Sequence, residues 1–185
     1  MNRMFLPKIN FLLVLLIGLL LIVLQTTAFQ LLFKNFRPDL ILVLVVYLAF
    51  HRYAGEGAIL SFLLGYFVEL HSGAPTGLMM TVYVWIFIVA KLVGLGFFLT
   101  RIWGTFLVVA LMSLLEIIFI WGLSYLVLPI APDFWNLLLI WIPSLGLQLL
   151  ATPLFFRGFS WFDGVCYKES PSKITGALGT PLIST

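Results

Sequence analysis

Arg37-Pro38-Asp39, the apolar run Leu40 to Phe50, His51-Arg52-Tyr53-Ala54-Gly55-Glu56, the apolar run Gly57 to Val68, and Glu69-Leu70-His71-Ser72-Gly73-Ala74-Pro75-Thr76-Gly77 form the stretch that decides the fold. The two runs hold eleven and twelve residues. At about 1.5 Å per helical residue, each covers roughly half of a hydrocarbon core about 30 Å thick. They are either two short crossings or one hairpin that enters from outside and turns at mid-membrane. The hairpin buries His51, Arg52 and Glu56 near the bilayer centre, where a charge costs about 2.5 to 3.5 kcal/mol on insertion scales. Two complete, short crossings are therefore expected. Phe36 to Tyr53 is eighteen residues, roughly 27 Å. That suffices if Arg37 and Arg52 snorkel to opposite interfaces or the bilayer thins locally.

Outside this stretch four longer apolar segments stand out: Ile9 to Phe29, Leu78 to Leu99, Ile102 to Leu128 and Trp135 to Phe156. Each is long enough to cross as a helix. The chain has 185 residues, is 63% hydrophobic and 9% charged, and has a mean hydropathy of +1.18. Such a chain cannot cover its apolar surface with polar groups in water, so an integral membrane protein is expected. The fold class is an all-α integral membrane protein, a compact bundle of six transmembrane helices with helices 2 and 3 short. With the N-terminus in the cytoplasm, Arg3, Lys8, Arg52, Arg101, Arg157, Lys168 and Lys173 lie inside and only Lys34 and Arg37 outside, with Lys91 in a span. Seven against two fits the positive-inside rule and puts both termini in the cytoplasm. The N-terminal run reads as an uncleaved anchor, since no Ala-x-Ala site follows it. Residues 1–164 form the six-helix domain, and 165–185, rich in Ser, Thr, Gly, Pro and Lys, a disordered cytoplasmic tail.

The residues that could carry function are few. Gly57, Ser61, Gly65 and Glu69 recur every four positions in the third span, a stripe along which helix backbones approach closely in lipid. It marks a helix-packing surface, within this bundle or against a partner. Lys91 and Glu116 are charges inside spans. Counted from the cytoplasmic turn at Arg101, their axial offset is roughly 9 Å. They either pair, or Lys91 snorkels to lipid phosphates while Glu116 stays protonated in the bundle. The last span carries Pro143 and Pro153 with Gln148 between them, a bend that shapes a cavity or improves packing. No phosphate loop or dinucleotide fingerprint is present. His51 and His71 fall on opposite faces of the membrane and cannot share a metal ion. No histidine lies at a depth that would complete a hydrolytic triad with a serine. No enzymatic activity, cofactor or metal is expected, and no basic cluster with interleaved aromatics invites nucleic acid. The single cysteine, Cys166, allows no internal disulfide.

Taken in order, Arg37-Pro38-Asp39-Leu40, His51-Arg52, Glu56-Gly57, Gly65 to Glu69 and Ser72-Gly73-Ala74-Pro75-Thr76-Gly77-Leu78 resemble the rod shape-determining protein MreD family. Pro38, Asp39, Gly73, Pro75 and Gly77 mark its turns, and the last span with Pro143, Pro153 and Arg157 is a weaker match. Glu69 stands where family members usually have Asp. The resemblance implies a non-enzymatic, multi-pass subunit of the bacterial inner (cytoplasmic) membrane, a scaffold of the cell-wall elongation complex. It further implies binding to an MreC-like protein and, indirectly, to MreB filaments, the RodA glycosyltransferase and its transpeptidase, with lipids around the bundle. The alternative is a small substrate-binding permease subunit resembling the S component of an energy-coupling transporter, and a polar, substrate-sized pocket would discriminate the two.

Overall fold

A computed structural model describes residues 5–32, 38–73, 75–96, 102–127 and 133–166. Among these the chain is all helix, in the order α1 (Phe5–Leu32), α2 (Leu40–His51), α3 (Ala54–Ser72), α4 (Leu78–Gly96), α5 (Ile102–Val127) and α6 (Phe134–Cys166). The four long apolar segments become α1, α4, α5 and α6, with α6 running through Pro143 and Pro153 and on past Phe156. Residues 165 and 166 thus close a helix, and the rest of the expected tail lies outside the described residues.

The centre of the molecule is α2. Every residue from Leu40 to Ala49 is buried, and α2 touches all five other helices. A helix surrounded on every side needs an apolar residue at every position, which Leu40 to Ala49 supplies. With twelve residues it is about 18 Å long, while its neighbours, with 19 to 33 residues, run to roughly 28–50 Å. It is therefore shorter than the bundle that encloses it. The Arg52 side chain at the C-terminal end of α2 is only 4% exposed and lies 3.4 Å from Glu56, so it does not reach out of the bundle as the snorkelling expectation had it.

α3 and α4 pack closely. A Cβ on Gly65 would come within 2.7 Å of the Met80 Cα and 2.9 Å of the Met79 carbonyl oxygen, both backbone atoms, and one on Gly57 would strike the Phe87 ring. The turn between the two helices relies on glycine, because Gly73 (φ 66°) and Gly77 (φ 93°) adopt left-handed conformations that a Cβ disfavours. Gly73 N–H closes α3 on the Glu69 carbonyl at 3.1 Å.

The outer surface is apolar. Leu12, Leu16 and Leu20 of α1 and Leu139, Leu150 and Leu154 of α6 are each at least 60% exposed, while Glu69, Glu116 and Gln148 are buried. That distribution reverses the one water selects. Two described segments, Gly104–Leu126 and Phe134–Trp161, are long and apolar enough to cross a membrane; Phe11–Thr27, Leu40–His51 and Leu78–Gly94 are apolar but shorter.

Candidate functional site, a cavity over the buried end of α2

Because α2 is shorter than its neighbours, its N-terminal end stops inside the bundle, whereas His51, Tyr53, Ala54 and Gly55 at its C-terminal end are exposed. An exposed helix end satisfies its terminal N–H and C=O groups with water, but a buried one needs other partners. At the N-terminal end, Leu40 N–H donates to Gln25 Oε1 (3.1 Å), and Ile41 and Leu42 N–H both donate to Asp39 Oδ1 (2.9 and 3.0 Å). The Tyr83 hydroxyl donates to Asp39 Oδ2. Gln148 Nε2 donates to the Asp39 carbonyl (3.1 Å), Ser113 Oγ to Gln148 Oε1 (3.1 Å), and Trp141 Nε1 to Ser113 Oγ (2.9 Å). One chain of hydrogen bonds therefore runs from α6 through α5 to the first turn of α2. Ser113 lies fourteen residues before the end of α5 and Gln148 fourteen after the start of α6, roughly 21 Å along each helix. Asp39 is thus deep in the bundle.

At the other end of α2, Arg52 N–H closes the helix on the Leu48 carbonyl (2.9 Å). Lys91 Nζ donates to the Arg52 carbonyl (2.6 Å). A cation is favoured there by the negative end of the helix dipole.

The space beyond the N-terminus of α2, which a longer helix would have filled, remains open. It is a cavity of ≈ 290 Å³ lined by the Asp39 cap of α2 and by residues of the other five helices, including Gln25, Tyr83, Glu116, Trp141 and Ser144. Ile117, Ile120, Leu137 and Ile140 complete its apolar walls. The Glu116 carboxyl, 7% exposed, lines the same cavity as Asp39. No Lys, Arg or His stands among the described lining residues.

Lys91 and Glu116 do not meet. Lys91 serves the C-terminal end of α2 and Glu116 faces its N-terminal end, and the helix between them is about 18 Å long. Gly57, Ser61 and Gly65 are buried on α3, with both glycines against α4, and the Ser61 hydroxyl returns to the Gly57 carbonyl (2.8 Å). Glu69 Oε1 accepts the Met79 N–H (3.2 Å) in the first turn of α4, where helix polarity favours an anion. Pro38 and Asp39 open α2, while Pro75 lies in the turn whose residue 77 carbonyl accepts the Thr81 N–H (3.1 Å). Among the described residues no group of three His, Cys, Asp or Glu could hold a metal ion.

Sequence reasoning passed over Gln25, Tyr83, Ser113, Trp141 and Ser144. A signal was available in their spacing. Ser113 and Glu116 are three apart on α5, and Trp141, Ser144 and Gln148 are three and four apart on α6, so each set shares a helix face. Compared with protein-family models, with curated proteins and with solved structures, the chain has no match.

Proposed function

We propose that this chain is a non-enzymatic scaffold subunit of the bacterial inner membrane, of MreD type, which binds a single-span MreC-like protein in the cell-wall elongation complex. In this reading all six helices lie in the membrane, with both termini cytoplasmic and the N-terminal end of α2 toward the exterior. The ordered motif from Arg37 to Leu78 supports it, because its residues build the centre of the molecule: Asp39 starts α2, Glu69 ties α3 to α4, and Gly73 and Gly77 shape their turn. The observation that carries the partner assignment is a groove of ≈ 320 Å³ beside that turn, lined by Phe62 of α3 and by Gly77, Met80, Thr81, Val84 and Trp85. The glycines of the small-residue stripe are already occupied by α4, so a partner helix needs another apolar surface, and this groove offers one. Co-purification with a tagged MreC-like protein in mild detergent tests the reading. Recovery of the chain is expected, with loss of recovery for Thr81→Trp, which fills the groove. Failure to recover the wild-type chain sinks the scaffold reading; equal recovery of both sinks only the groove.

A second reading has its own support. The cavity over α2 has the polar lining and volume that a small substrate-binding permease subunit needs, at the lower end of the range for small-molecule sites. Equilibrium binding of small molecules to the purified chain tests it.

A further inference from the structure

We propose that the cavity at the N-terminal end of α2 binds a small organic cation: a protonated amine on an apolar body of about ten non-hydrogen atoms, its nitrogen held by Glu116 beside Asp39. The inference rests on the second reading above, that the cavity is a ligand site, and adds the chemistry of the ligand.

Most of the polar groups there are already engaged. Asp39 Oδ1 takes two backbone N–H groups and Oδ2 takes the Tyr83 hydroxyl. Gln148, Ser113 and Trp141 bind one another or α2. Glu116 remains as the acceptor facing the space. Charge decides what it would accept. A helix N-terminus is equivalent to roughly half a positive charge, and two carboxylates exceed that. Within an apolar bundle the excess must be met by a cation or by a proton.

A proton would balance the charge and leave the space unfilled, whereas an organic cation would use it. At about 30 Å³ for each water-sized unit, ≈ 290 Å³ holds roughly ten such units, far more than a proton requires. The walls fit a molecule with one polar end. Ile117, Ile120, Leu137 and Ile140 suit its apolar body, and Tyr83 and Trp141 offer aromatic groups of the kind that attract ammonium. An anion would meet two carboxyls with no basic residue among the described lining groups.

Three probes of nearly equal shape test this on the purified full chain in detergent: 2-phenylethylammonium, 2-phenylethanol and phenylacetate, measured by calorimetric titration and by thermal shift. The ammonium is expected to bind and to raise the unfolding temperature. The alcohol should bind about tenfold to a hundredfold more weakly, the range expected for a lost charge-assisted hydrogen bond, and phenylacetate should not bind. Glu116→Gln should reduce ammonium binding by the same factor. Leu137→Trp, which fills the space and leaves both carboxyls, should abolish it, and this variant decides the matter if Glu116→Gln does not fold. Alcohol binding as tight as ammonium binding would overturn the charge assignment and leave the ligand site standing. Binding of none of the three would overturn both, leaving a carboxyl pair that holds a proton. Ammonium binding that survives Leu137→Trp places the cation elsewhere and also refutes the inference.

Discussion

At the scale of single residues, Asp39 does the most. Its side chain caps α2 and holds the Tyr83 hydroxyl, and its carbonyl anchors Gln148. Asp39→Ala removes the cap and leaves a buried hydroxyl without its acceptor, so a loss of about 2 to 4 kcal/mol is expected. Asn caps helices almost as well as Asp, and its amide can still pair with Tyr83, so Asp39→Asn should cost under about 1 kcal/mol. Thermal unfolding in detergent measures both, and equal unfolding temperatures for the two variants would mean that the cap matters little. Asp39 was legible in the sequence as part of a turn before an apolar run. Its partners Gln25, Tyr83 and Gln148 were not, because they come from three other helices and only packing brings them to one point.

Among the elements, α3 and α4 show how spacing becomes contact. The four-residue rhythm of Gly57, Ser61 and Gly65 identified a packing face in the sequence but not its partner. That partner is α4, whose backbone at Met79 and Met80 leaves no room for a Cβ on Gly65. Gly65→Ala should therefore destabilise the chain even though alanine is the better helix former. Gly146 lies inside α6, and a Cβ added there would meet nothing within 4 Å, so Gly146→Ala should be neutral or stabilising by up to about 1 kcal/mol. Opposite signs in the two unfolding temperatures are the expected result; matching signs would mean that the close approach of α3 and α4 is not a constraint. The same element scale sets the surroundings of α2. Eleven apolar residues fixed its length, but whether such a helix crosses alone or sits inside longer helices depends on how the other five pack around it.

For the molecule as a whole, the central fact is that a short helix lies inside a longer bundle, with its ends served by residues from elsewhere in the chain. Lys91 and Glu116 belong to opposite ends of that helix, so Lys91→Met and Glu116→Gln should have effects that add within about 0.5 kcal/mol in the double variant. A larger coupling energy in the double-mutant cycle would mean that the two charges communicate through α2. By itself, the sequence determined the order and approximate placement of the described helices, though not the run of α6 past Phe156 to Cys166, since length, hydropathy and turn chemistry are local properties of the chain. It also determined that Lys91 and Glu116 lie within apolar helices, because their neighbours in sequence are apolar. Only the tertiary structure decided that α2 is enclosed, that each charge has its own end of α2 to serve, and that a cavity opens where α2 stops. Those outcomes depend on how far each helix extends past its neighbours and which face it turns to them, relations between distant segments that no local pattern encodes.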